Sequence, residues 1–355
     1  MSITSTTLLK TALSALRASG LSGLLSPLTR GAGAILMLHQ VAPGAPEPFE
    51  PNRILRVTPE FLDQTIRQVL EAGFDILSLD EVAARLAGPP QIRPFVAFTL
   101  DDGYRDNLVH AYPVFKRYGI PFTVYAPTDY IDGTGELWWL GLEKSLATLD
   151  RVTLQIDGKP RAFPLDTPRE KTVAYDTIYW WLRSIDETVA RQIVRALCVE
   201  ADIDMAALCR AQIMGWDELR RLAADPLVTI GGHTRRHYAI ARLGPGAARA
   251  EIVEGIARLE QELGRPVRHF SFPFGDETSA GPRDFAIVRD LGLSTAVTTR
   301  KGTLSRQHKD ALHSLPRLSL NGDYQHAHYV EVLLSGLPFR LRDMVRQLAP
   351  RPVSG

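Results

Sequence analysis

Val96-Ala-Phe-Thr-Leu-Asp101-Asp102-Gly103-Tyr104 is the stretch around which this chain is organised. Its apolar, β-branched and aromatic run has the length and composition of a buried strand. It ends in two adjacent carboxylates, which do not enter a core without partners, and then in a glycine that lets the backbone turn. Neighbouring residues on an extended strand point to opposite sides, so one cation does not normally take both acids. One acid can ligate while the turn at Gly103 brings the other beside a reaction centre. Taken alone, the pair reads equally well as a solvated turn after an edge strand.

Outward from this stretch the chain alternates strand and helix. Ala34–Leu38 reads as a buried strand ending in His39-Gln40. A helix from Thr58 to Ala72 carries Pro59 at its first position. A strand over Asp75–Leu79, a helix over Asp80–Leu86, a helix through Ala111–Tyr118 and a strand at Phe122–Ala126 follow. Alternation resumes with a helix at Trp216–Ala224, a strand at Leu227–Ile230, a helix over 246–263 capped by Gly264, and a strand at Val267–Phe272. A helix at Arg283–Asp290 and a strand at Ser294–Thr298 come last. Such repetition implies an α/β protein with a mostly parallel sheet. Residues 131–215 break the rhythm and read as an insertion on the rim. They hold a hairpin at Val152–Phe163 turning at Asp157-Gly158, two helical stretches near 168–183 and 186–199, and Trp138, Trp139, Trp180 and Trp181. These aromatics suit a satellite core, with Trp138 and Trp139 as alternative sugar-stacking platforms.

Composition narrows the class. The chain has 355 residues, 45% of them hydrophobic and 23% charged, which is ordinary for a globular protein. A net charge of +1 argues against nucleic acid as a partner. Cys198 and Cys209 lack CxxC spacing and read as packed, reduced thiols, which points to a reducing compartment. Residues 1–30 carry Lys10, Arg17 and Arg30, no acid, and many leucines, but no uninterrupted apolar core of the signal-peptide kind. They read as a helical segment that either packs on the domain or lies on an anionic membrane surface. The tail at 331–355 is also basic and helical in period. The expected location is cytoplasmic or membrane-peripheral, with contact through the basic termini; the oligomeric state is open. The expected divisions are 1–30, a main domain over 31–330, and the tail.

The strand at Leu227–Ile230 runs into Gly231-Gly-His233-Thr-Arg-Arg-His237. Histidines four apart converge on one metal if the segment turns helical, and neutral imidazole is the commonest metal ligand. Asp102 with His233 and His237 makes a two-histidine, one-carboxylate set that leaves positions open for water and substrate. His39, Asp101, Asp102, His233, His237 and Pro273-Phe-Gly all fall just past strand C-termini, the active edge of a parallel barrel.

At these residues the chain resembles the polysaccharide deacetylases, the NodB-homology group of carbohydrate esterase family 4. The resemblance rests on Thr99-Leu-Asp101-Asp102-Gly103, His233-Thr-Arg-Arg-His237 and Phe272-Pro-Phe274-Gly275, and covers roughly 34–130 and 212–320. It implies an irregular (β/α)7 barrel and metal-dependent removal of acetyl groups from sugars such as N-acetylglucosamine. It implies Asp102, His233 and His237 as ligands of a divalent metal, zinc first, with cobalt, nickel or manganese as alternatives. It implies Asp101 as general base and the Phe274 backbone N–H as donor to the oxyanion. The chain departs from the family where the base-orienting arginine should stand, at Ser271, and Arg317 is the candidate substitute. Asp290-Leu-Gly292 keeps part of the fourth motif without its tryptophan. The histidine that supplies the acid has no clean match, and His313, His308 and His39 compete for it. A deformylase or other amidase on a lipid-linked sugar, or a barrel that binds glycan or metal without turnover, are the alternative readings.

Overall fold

The computed structural model describes residues 3–89 and 92–348, so the outermost parts of both expected terminal segments, 1–2 and 349–355, lie outside the described residues. Twelve strands occur among them: β1 Gly33–Leu38, β2 Gln40–Val41, β3 Arg56–Val57, β4 Asp75–Ile76, β5 Phe95–Leu100, β6 Phe122–Ala126, β7 Arg151–Ile156, β8 Lys159–Pro164, β9 Val228–Gly232, β10 His269–Ser271, β11 Thr295–Lys301 and β12 Leu315–Ser319. Seven of them close into a parallel barrel in the order β1-β12-β11-β10-β9-β6-β5, with β5 returning to β1. Every residue of β1, β5 and β6 is buried, as expected of strands covered on both faces.

The barrel is irregular at two places. β4 and β6 share one edge of β5: β4 pairs at Phe95 and Val96, and β6 takes over from Phe98. The strand expected over Asp75–Leu79 is therefore two residues long. It stops because Ser78 caps the next helix, Leu79–Ala87, in a reciprocal capping box with Glu81. The second irregularity is the thin seam between β9 and β10, which share one pairing, Gly232 with Phe270. That seam brings the residue after β9, His233, beside Ser271.

The insertion leaves the barrel after β6 and returns just before the helix Trp216–Ala223. Asp157 and Gly158, both at positive φ, turn the antiparallel β7–β8 hairpin. Helices Pro168–Leu182 and Glu187–Glu200 are opened by the side chains of Thr167 and Asp186. Helix Trp138–Thr148 packs against Glu187–Glu200. Trp138 and Trp139 are buried within this layer, so neither is an exposed stacking platform. The apolar faces of the inserted helices need cover, and the two rings supply it. At the termini, helices Ile3–Ala18 and Leu21–Thr29 lie against Ala327–Leu334 and Leu337–Leu348.

Candidate active site

Past the end of β5 the backbone turns sharply: Asp102 has φ 74° and Gly103 φ 69°. A left-handed conformation is costly for a residue with a Cβ and is held only where its surroundings demand it. Six non-glycine residues adopt it among those described, and four of them, Asp102, Thr234, His237 and Phe274, surround one point at the C-terminal rim. Backbone strain is thus concentrated at this rim.

The turn sends the two carboxylates to different partners. Asp101, 2% exposed, receives Arg317 Nη1 on Oδ1 at 2.8 Å and Nη2 on Oδ2 at 2.6 Å. Arg317, from β12, also donates to Thr298 O at 2.9 Å and to Ser271 Oγ at 3.1 Å. Burial works to raise the Asp101 pKa, but the guanidinium outweighs it and holds the carboxyl below its ordinary value. The space beside Ser271, where the family arginine was expected, is filled by Arg317 from two strands away, with Ser271 small enough to leave room.

Asp102 faces the histidine pair. Its Oδ1 lies 3.4 Å from His233 Nε2 and 3.2 Å from His237 Nε2. Burial pushes this carboxyl up, yet the two imidazoles bring it far below the usual carboxylate range. His233 Nδ1 is 2.6 Å from Ser271 O, which makes it the protonated nitrogen and leaves the Nε2 lone pair pointing inward. Burial lowers the His237 pKa to about 4, so its ring is neutral near pH 7. One ligand atom from each of the three buried residues lies within 4.8 Å of the others, and Asp102 Oδ1 accepts no hydrogen bond of good geometry. Three converging lone-pair donors with a buried, unpartnered oxygen fit a divalent metal.

The histidines do not converge through a helix, as the spacing suggested. Residues 233–237 are a bent loop in which Thr234 and His237 take positive φ, and Thr234 Oγ1 accepts the His237 N–H at 2.8 Å. Gly255, on the helix Pro245–Leu263, makes room for this loop: a Cβ there would stand 2.7 Å from the Thr234 carbonyl. The loop backbone thus lies directly on that helix.

Phe274 closes the opposite side of the site. Its φ of 59° exposes the backbone N–H, which makes no hydrogen bond within the described residues. Its ring lies 4.8 Å from that of His237, and the Arg183 guanidinium covers it at 3.6 Å. His39 directly follows β1 at the rim, where the Asp101 N–H donates to Leu38 O at 2.9 Å and Asn107 Nδ2 donates to His39 O at 2.8 Å. His313 and His308 are not brought to the site. His313 bonds Leu293 O at 2.8 Å, next to the start of β11. His308 lies in the turn Arg306–Asp310, beyond Leu304, which pairs with Gly33 at the start of β1. Both stand at the base because they precede β12, whose chain enters from that end.

Three functional supports in the insertion were not anticipated. Arg191, 2% exposed, donates to His237 O at 3.1 Å and to Glu136 O at 2.8 Å. Glu187 accepts the Ala239 N–H at 3.1 Å. Arg183 holds Asp276 and Ser279 after the Pro-Phe-Gly turn. Their signal was present: Glu187 and Arg191 fall on the same helical stripe as Ala190, Val194, Leu197 and Cys198. Charges on an apolar stripe have buried partners.

The family model for polysaccharide deacetylases matches residues 89–296, more than half of the chain. The protein belongs to that family of hydrolases. A curated relative, YxkH of Bacillus subtilis (strain 168), is 30% identical over 92 residues, 26% of this chain and 30% of YxkH, so the match spans under a third of that protein's length. Among solved structures, the Streptococcus pyogenes deacetylase PplD is similar with TM-score 0.54 at 18% identity, covering 82% of this chain and 92% of PplD. IcaB from Ammonifex degensii gives 0.52 at 18% identity, over 86% of this chain and 98% of its own. At that identity the two structures speak to the fold, which they share with this closed barrel.

Proposed function

We propose that this protein hydrolyses the acetamide of an N-acetylated amino sugar, such as N-acetylglucosamine, within an oligomeric, polymeric or lipid-linked saccharide. The observation that carries the reading is the division between the two carboxylates: Asp101 is tied to Arg317, and Asp102 is turned to the histidines. Asp102, His233 and His237 would hold the metal, with zinc the first choice for a donor set of two imidazoles and a carboxylate. A divalent ion there supplies a Lewis acid and water of lowered pKa. Asp101, ionised and oriented by Arg317, accepts a proton from the attacking water. The Phe274 N–H donates to the acetyl oxygen as it gains negative charge. His39, which follows β1, is the residue assigned to give a proton to the departing amine nitrogen, and the proton held by Asp101 leaves to solvent as the products go. One water is consumed, the C–N bond breaks, and acetate and a free amine leave. The structural relative PplD is described in complex with acetate, which is in keeping with this product.

The test is acetate and formate release from N-acetylated and N-formylated glucosamine oligomers by protein reconstituted with zinc. Acetate is the expected product. Asp101→Asn is expected to lower its release by about 10²–10⁴-fold with metal content retained. Formate release in preference to acetate, or neither product from zinc-loaded protein, would overturn the proposal.

A further inference from the structure

We propose that the terminal helices form a docking face for an anionic lipid bilayer, which they meet lying flat. Helix Leu21–Thr29 turns Ser22 and Thr29 towards the protein and Leu21, Leu24 and Leu28 away from it. Leu24 is 76% exposed and Leu28 78%. Its neighbour, Leu337–Leu348, buries Leu337 and Phe339 and turns Leu341, Met344 and Val345 outward, with Val345 67% exposed. Leu8, on Ile3–Ala18, adds a further exposed leucine at 73%. Large apolar side chains clustered in this way on neighbouring elements mark an interaction surface.

These helices are not loose ends. Thr29 Oγ1 donates to Ser335 O at 2.6 Å, and Gly336 packs so closely on Thr29 that a Cβ would stand 2.1 Å from its carbonyl oxygen. Leu13 is buried, Ser14 meets His328, and Arg17 pairs with Glu331 at 3.0 Å. The inner faces are therefore spoken for, and the outer apolar stripes are held rigidly in place.

Charge identifies the occupant. Residues 1–30 together with 337–348 contain Lys10, Arg17, Arg30, Arg340, Arg342 and Arg346 against one acid, Asp343. Asp343 is taken by Arg342 at 2.9 Å. Among the described residues Arg30, Arg340 and Arg346 form no ion pair. The whole chain carries only +1, so the basic excess is confined to the helices that expose the leucines. Leucines flanked by arginines suit the boundary between acyl chains and anionic headgroups. No described helix is long and apolar enough to cross a membrane, so contact is in the plane of the surface.

The inference is independent of the reaction proposed above. Its test is co-sedimentation of the full chain with vesicles of pure phosphatidylcholine, and with vesicles containing phosphatidylglycerol, at low and high salt. Binding to the anionic vesicles alone is expected, weakening as salt screens the arginines. The double substitution Leu24→Asp with Leu28→Asp is expected to weaken binding at least tenfold, with the thermal midpoint unchanged. A milder pair, Arg340→Gln with Arg346→Gln, should weaken it while leaving every apolar contact intact. No sedimentation with anionic vesicles overturns the proposal. So does a dimer in solution that the Leu24 and Leu28 substitutions dissociate, since a second copy would then cover the face.

Discussion

The two ends of the barrel hold similar residues in different company. At the base, His269 is buried with Nδ1 2.8 Å from Thr295 Oγ1 and Nε2 3.2 Å from Asp80 Oδ1, and His313 bonds Leu293 O. At the rim, His233, His237 and Asp102 aim three donor atoms at one space. Among the described residues no third ligating side chain joins either base histidine, and the one group of three is at the rim. At the rim the lone pairs meet one another. Reactivity is set by convergence, and convergence comes from the four strained backbone positions that the base lacks.

Removing the partner that keeps the rim charges apart should have the largest effect. Arg317→Leu strands Asp101 in a buried setting, and losing one member of a buried pair costs about 3–5 kcal/mol. The sign with pH follows from the lowered Asp101 pKa. A carboxyl held below its unfolded value of 3.8 contributes stability above that value, and loses it as pH falls through the folded value. In the variant, unopposed burial raises the same carboxyl, so acid relieves the stranded charge. Denaturant unfolding at pH 7 and near pH 4 should show the gap between variant and parent narrowing on acidification. A gap independent of pH would mean that the Arg317–Asp101 charge pair is not its source.

How much of this contrast could be read from the sequence follows the range of the interactions. The parallel α/β character, the rim location of Asp101, Asp102, His233 and His237, and the hairpin at Asp157-Gly158 are carried by local pattern and motif spacing. The exchange of Ser271 for Arg317 needs the closed order β10-β11-β12, which no local pattern carries, although Leu315-Pro-Arg317 could be nominated. The choice among His39, His308 and His313 depends on direction along the barrel. His313 lies two residues before β12, and a parallel strand begins at the base; earlier placement of that boundary would have separated it from His39. The bent His233–His237 loop was hidden because i, i+4 spacing suits a helix as well as a loop, and the positive φ that bends it falls on Thr234 and His237 rather than on a glycine that would mark it.

A smaller effect should come from the insertion, and it tests whether the rim's strain is externally supported. Arg191→Met keeps much of the buried volume but removes the hydrogen bonds to His237 O and Glu136 O. Outer partners of metal ligands are worth about 10–100-fold in affinity, so chelator competition should show zinc affinity reduced by that order. An unchanged affinity would confine the role of Arg191 to packing between helix Glu187–Glu200 and the loop after β9.

The smallest effect belongs to the base, where the contrast is most exposed to failure. His313 uses Nε2 to donate to Leu293 O at 2.8 Å, a single bond at the side of the barrel where β11 begins. A glutamine amide can reach and donate in its place, so His313→Gln should cost no more than about 1 kcal/mol, the net worth of one such bond. Zinc content and acetate release should match the parent protein. Were release to fall tenfold with zinc retained, proton delivery would have to run from base to rim through a core of Val297, Leu315 and Tyr125. That core offers no continuous relay: Tyr125 is fully buried, its hydroxyl has no hydrogen-bond partner, and burial raises its pKa far above the ordinary value. A histidine separated from the reacting atoms by such a layer ties the segment before β12 to the segment before β11, and His39 is left as the proton donor to test next.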